Sequence, residues 1–273
     1  MQAASREALA TSNAQLDAAT RDAGGEELSR LADDLLGFAR VLLGEPTLRR
    51  ALSDPSRREG DRAALAEGIF AAHLGEPAMS VLSAMVTARW SVPNDLVDAA
   101  ELLGIEAVLI GAEREDVLAD VEDELFRFER IVEGHPTLGA ALGDETAAAQ
   151  RRDVLVDDLL EGKARPASVR LARLAVGGVG GRGFESSLDR LVELAAARRN
   201  RSVVRVRVAA PLTEEQERGL AEALADGYHR QMSLQIEVDE SLVGGAVVRV
   251  GSDLYDGSIA RRLAEARRHL TSQ

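Results

Sequence analysis

The sequence predicts a mainly α protein, with two tandem helical bundles followed by a small α+β C-terminal domain. Three observations carry this. The chain is 45% hydrophobic but only 3% aromatic, and cores built from Ala, Leu and Val with few rings suit packed helices. The first two thirds align with themselves at a shift of 90 positions. Beyond Asn200 the apolar period changes from helical to alternating.

An opening helix is expected from Ser5 to about Asp22. Leu28, Leu31, Leu35, Phe38 and Leu42 then step by three or four, which lines one face of a second helix. At the 90-residue shift these positions meet Leu118, Val121, Leu125, Phe128 and Val132, and Pro46-Thr47-Leu48 meets Pro136-Thr137-Leu138. Leu52 and Asp54 meet Leu142 and Asp144. Helical periodicity alone would align leucines but not a turn and a following Leu-x-Asp, so the repeat reads as a duplication. Pro77 and Pro166 fall one position out of register, and the alignment drifts after them. These prolines, with Pro46, Pro93 and Pro136, fit loops or first helical turns, because proline inside a helix removes a hydrogen bond and clashes. A long helix from about Asn94 towards Glu115 leads into the second copy. The acidic run Glu113 to Glu124 reads as an exposed helix face. The expected domains are 1–115, 116–200 and 201–273.

In the last of these, Val204, Val206 and Val208 alternate with arginines as in a strand. Thr213 and Gln216 form a capping box for a helix that includes Leu220 and Leu224. Leu234, Ile236 and Val238 alternate again. Then comes a structural corner from Leu242: Gly244 and Gly245 permit a sharp turn, and Ala246, Val248 and Val250 mark a strand. Gly251 and Ser252 end it, and Asp256 or Ser258 caps a final helix. The expected order is strand, helix, strand, strand, helix.

A net charge of −13 opposes general binding to nucleic acid or anionic lipid. Arg198, Arg199 and Arg201, and later Arg261, Arg262, Arg267 and Arg268, read as solvated faces or a basic helix end. No stretch approaches the roughly 20 apolar residues of a membrane span, and the start lacks the plan of a signal peptide. The absence of cysteine removes disulfides, zinc-thiolate sites and cysteine nucleophiles. Gly178-x-Gly180-x-x-Gly183 matches the dinucleotide fingerprint formally. Helical spacing before it, where a strand is required, makes it a helix-to-helix loop. His73, His135, His229 and His269 are scattered without partnering ligands. Asp253 and Asp256 read as turn and cap residues, and Trp90 as a packing residue at a helix end. No catalytic, cofactor-binding or metal residues are expected.

The run Asp239-Glu240-Ser241-Leu242-Val243-Gly244-Gly245, then Val248-Arg249-Val250-Gly251 and Asp256-Gly257-Ser258-Ile259, resembles the C-terminal signature of the delta subunit of F-type ATP synthases. The mitochondrial counterpart is the oligomycin-sensitivity-conferring protein. Ser5-Arg6-Glu7-Ala8-Leu9 and Ala88-Arg89-Trp90 are similar to delta chains of GC-rich bacteria. The resemblance implies a structural signature at Leu242, Gly244, Gly245, Gly251, Asp256 and Ser258. It also implies a non-catalytic stator subunit, one copy per complex, attached peripherally to the cytoplasmic face of the cell membrane. Its helical bundle would hold N-terminal segments of the alpha subunits, and its C-terminal domain the end of the b subunit. The family has one bundle where this chain has two. An unrelated helical scaffold or adaptor would explain the composition, but not the ordered match from Asp239 to Ile259.

Overall fold

The computed structural model describes residues 2–228, 233–239, 242, 244–250 and 253–256. The chain divides into two compact units, Met1–Ala195 and Ala196–Gln273. The first repeat is built from α1 (Ala3–Thr20), α2 (Gly25–Gly44), α3 (Pro46–Ser53), α4 (Glu59–Phe70), α5 (Glu76–Thr87) and α6 (Pro93–Arg114). The second adds α7 (Leu118–Gly134), α8 (Pro136–Leu142), α9 (Ala149–Leu160), α10 (Pro166–Gly177) and α11 (Phe184–Ser202).

The duplication extends further in the structure than in the sequence. Helices α4 and α9 begin and end 90 positions apart, and so do α5 and α10, past the point where the sequence register drifts. Three side-chain devices repeat at the same shift. Asp54 Oδ1 accepts from the Ser56 N–H at 2.9 Å and its hydroxyl at 2.6 Å, and Asp144 does the same with Thr146 at 2.9 and 2.6 Å. In both turns these bonds hold the carboxyl below its ordinary range. Asp34 on α2 accepts the Gly75 N–H at 2.8 Å before α5, and Glu124 on α7 accepts the Arg165 N–H at 2.8 Å before α10. A carboxylate there satisfies a free donor and complements the positive end of the helix dipole.

The third device is a buried arginine. Arg62 on α4 is 2% exposed. It donates to the carbonyls of Val86 at 2.6 Å, Thr87 at 2.7 Å, Ala88 at 3.3 Å, Arg57 at 2.7 Å and Asp54 at 3.1 Å. It thereby closes the carbonyl end of α5 onto the turn before α4. Its counterpart Arg152 donates to Val176 O at 2.9 Å and Leu142 O at 3.2 Å.

One helix serves both repeats. Residues 93–110 of α6 lie 90 positions after α1, so α6 closes the first bundle and stands as the opening helix of the second. Its composition fits a central element: every residue from Leu103 to Ile110 is buried, and a helix that is apolar all round belongs inside. Helices α1 and α6 run parallel. At one end the Ser5 hydroxyl donates to Asp95 Oδ2 at 2.5 Å. At the other, Arg114 donates to the carbonyls of Thr20, Ala23 and, at 2.8 Å, Arg21, where a cation complements the C-terminal end of α1. Arg170 of α10 reaches α2, donating to Asp33 Oδ1 at 2.7 Å and to the Ser29 hydroxyl at 3.2 Å. One hydrophobic core therefore runs from Ala8 to Ala195, and both repeats lie in one compact unit.

At Gly104 the α2 and α6 helices approach so closely that a Cβ would lie 2.6 Å from Leu36 Cγ and 3.3 Å from its backbone N. Gly104→Val is expected to cost about 3 kcal/mol by overpacking, seen as a Tm lowered by roughly 6–12 °C in calorimetry. An unchanged Tm would mean that this contact is not close in solution.

The acidic run from Glu113 to Glu124 is not one helix face. Helix α6 ends at Arg114, Asp116 takes the left-handed conformation at φ 57°, and α7 starts at Leu118. Aspartate tolerates that conformation. The Val117 N–H bonds back to Ala112 O at 2.9 Å, which closes the turn.

The second unit carries β1 (Val203–Val208), α12 (Glu214–Tyr228), β2 (Ser233–Val238), β3 (Ala246–Val250) and β4 (Asp253–Asp256), in the sheet order β2-β1-β3-β4. Strands β1 and β2 are parallel, which requires a crossover, and α12 supplies it. The capping box is present: the Thr213 N–H donates to Gln216 Oε1 at 2.9 Å, and the Gln216 N–H to Thr213 Oγ1 at 3.3 Å. Val204, Val206, Val208 and Val250 form the core, with Leu220 and Leu224 of α12 against them. Strand β4 places Asp253 in a strand where the sequence reading has a turn; Asp256 is its last residue, and the helix it is expected to cap lies outside the described residues. Both lie in a strand antiparallel to β3, Asp253 opposite Val250 and Asp256 opposite Val247. The expected final helix, with Arg261, Arg262, Arg267 and Arg268, lies outside the described residues, as do His229 and His269.

Candidate functional site

No group of three or more His, Cys, Asp or Glu side chains is placed to hold a metal ion among the described residues. The glycine loop 178–183 joins two helices, α10 and α11, so it lacks the strand that a dinucleotide site needs. Trp90 packs as expected, 5% exposed, with its indole N–H on Met85 O at 2.8 Å. Among the described residues no helix is long and apolar enough to cross a membrane.

The candidate site is instead a groove on the first repeat. It has a volume of about 890 Å3 and runs between the start of α1 and the end of α5. Ala4, Glu7, Ala8 and Thr11 line one wall, and Ala84, Thr87, Ala88, Arg89, Trp90 and Ser91 the other, with Pro55 and Glu59 at the rim. Small residues on both walls let an incoming backbone come close. A second hollow of about 500 Å3 shares Pro55, Trp90 and Ser91 and extends to Arg50 and Arg57. The floor is held by Ser5, fully buried, which accepts the Ser91 N–H at 2.8 Å while donating to Asp95. The serine of the opening Ser5-Arg6-Glu7-Ala8-Leu9 thus fixes α1 to the segment after α5. Arg62 fixes the same segment from below, through the carbonyls of Thr87 and Ala88. The sequence showed Ser5 and Trp90 but not the groove, because its walls come from segments some 80 residues apart.

The second unit holds the signature positions. Gly244 and Gly245 precede β3 with φ of 157° and 85°, and the second of these favours glycine. The Leu242 N–H bonds to Asp239 O at 3.0 Å, and the Asp239 N–H to Val208 O at 2.8 Å, which ties the corner to β1. Asp239 also pairs with Arg207 at 3.0 Å. Asp256 lies at the end of β4. Gly251 and Ser258 lie outside the described residues. Val238 and Tyr255 leave apolar surface open, 46% and 55% exposed.

The family described as ATP synthase delta (OSCP) subunit matches residues 106–270. That stretch begins inside α6 and covers the second repeat and the C-terminal unit. The chain is 48% identical to the ATP synthase subunit delta of Salinispora arenicola over the full length of both chains. It is 47% identical to that of Salinispora tropica, again over both full lengths. With the ATP synthase subunit delta of Streptomyces avermitilis it shares 45% identity over 98% of each chain. The two-repeat architecture is therefore matched end to end by these relatives.

Proposed function

The chain belongs to the ATP synthase delta (OSCP) subunit family, and we propose that it is the stator subunit that ties the catalytic head to the peripheral stalk. The observations that carry this reading are the family match over residues 106–270, the full-length likeness to ATP synthase delta subunits and the division of the chain into two compact units. The helical unit presents a small-walled groove suited to a helix, which fits N-terminal segments of the alpha subunits. The sheet unit, with its open apolar positions, is the place for the C-terminal end of the b subunit. Proton flow turns a rotor, and a head that is free to turn with it makes no ATP. The subunit performs no chemistry; it resists torque. It sits at the cytoplasmic face of the membrane as one copy per complex and touches the membrane only through its partners. The adaptor alternative, unrelated to ATP synthase, falls with the family match.

The test is coupling in inverted membrane vesicles depleted of this chain. ATP hydrolysis should continue while proton pumping is lost, and adding the purified chain back should restore pumping. Full pumping in depleted vesicles would overturn the stator role.

A further inference from the structure

Side chains alternate along a strand, so register assigns every residue of the sheet to one of two faces. Val204, Val206, Val208 and Val250 make the core face, with Leu220 and Leu224 of α12 against them. The residues between them on β1 and β3, Arg205, Arg207, Val247 and Arg249, belong to the other face. Strand pairing sets two rows across that face. One runs Glu237, Arg207, Val247, Asp256, and the other Gln235, Arg205, Arg249, Leu254.

The two rows differ in charge. In the first, Arg207 stands opposite Glu237 and its guanidinium pairs with Asp239 at 3.0 Å. The second sets two arginines directly opposite each other and contains no carboxylate. Like charges in that position repel and weaken a sheet. Arg249 is exposed. The chain enters β1 from α11, whose last turn brings Arg199 and Arg201 to the same end of the strand. In a chain of net charge −13 this is a local excess of cations. We propose that the Arg205–Arg249 row receives the terminal carboxylate of the b subunit. This rests on the reading that the sheet unit takes the C-terminal end of b.

The C-terminal end of a helical chain is anionic twice over. It carries the terminal carboxylate, and its last carbonyls lack partners at the negative end of the helix dipole. A guanidinium fork matches a carboxylate with two parallel hydrogen bonds. Directly opposed strand positions have Cβ atoms roughly 5 Å apart, so one carboxylate can bridge two guanidinium groups and cancel their repulsion. Apolar contact is at hand beside the row. Tyr255, 55% exposed, follows Leu254 on the edge strand β4. A last helical turn lying along that edge covers the tyrosine while its terminus reaches Arg249.

The experiment titrates a synthetic peptide of the host b subunit's C-terminal segment into the full chain by calorimetry, once as the free acid and once as the C-terminal amide. The amide lacks the terminal charge and should bind roughly tenfold more weakly or worse. Arg249→Gln should weaken the free acid by a similar factor and bring acid and amide to the same affinity, because the group that reads the charge is gone. The position is exposed, so the circular dichroism spectrum should not change. Equal affinity of acid and amide for the unaltered chain would overturn the inference and leave docking of b on the sheet unit standing. So would an acid–amide difference that persists in Arg249→Gln. No binding of the free acid to the unaltered chain would overturn the b-docking reading and the inference with it.

Discussion

Arg62→Ala should be among the most destabilising single substitutions in the helical unit, by about 3 kcal/mol or more. The guanidinium is buried and donates to five carbonyls. Removing it leaves those acceptors in a cavity that cannot restore their bonds, and each charge-assisted bond lost inside costs roughly 1.5–3 kcal/mol before relaxation. Thermal unfolding by calorimetry checks this. The equivalent Arg152→Ala should cost less, because Arg152 makes two such bonds and its Nε is buried without a partner among the described residues. Equal losses at the two positions would mean that the repeats are not held by this device. Because Arg62 also anchors the Thr87 and Ala88 carbonyls beside the groove, the variant should lose alpha-segment binding together with stability.

The second large effect is expected at the turn before β3. Gly245 takes φ 85°, a conformation in which a β-branched side chain is a genuine outlier. A valine there strains the turn that sets the β3 register against β1, where Val248 faces Val206 and Val250 faces Val204. A shift of one residue would turn the Val250 side away from the core. The pair Gly244→Val and Gly245→Val should therefore unfold or loosen the sheet unit and leave the helical unit intact. In purified complexes the alpha and beta subunits should stay with the chain while the b subunit is lost, and proton flow should uncouple from synthesis. Normal coupling in the double variant would count against the corner as a structural signature.

Much of this architecture was legible in the sequence because it rests on local periodicity. The stripe from Leu28 to Leu42 and its copy from Leu118 to Val132 are helix faces whatever surrounds them. The Val204, Val206, Val208 alternation and the Thr213–Gln216 box are equally local. What was not legible depends on partners far along the chain. Arg62 looks like any helix-surface arginine until α5 brings the Val86 carbonyl to it. Asp34 and Glu124 differ in residue type, so only their shared task at the start of α5 and α10 shows them to be equivalent. Strand β4 is four residues long, Asp253 to Asp256, too short to show alternation, and it exists by pairing with β3. The double duty of α6 follows from burial on all sides, which a sequence reads only as a long apolar helix. The glycine loop was readable as a connection between helices, but the bond from its Gly180 N–H to Glu101 was not.

Co-purification tests the stator role most directly. A C-terminally tagged chain, expressed in its own host, is drawn from gently solubilised membranes and its companions are identified by mass. Recovery of the alpha, beta and b subunits together, with one copy of the chain per complex, is the expected result. Recovery of the chain alone, or with the head but never with the b subunit, would contradict the tether between head and stalk.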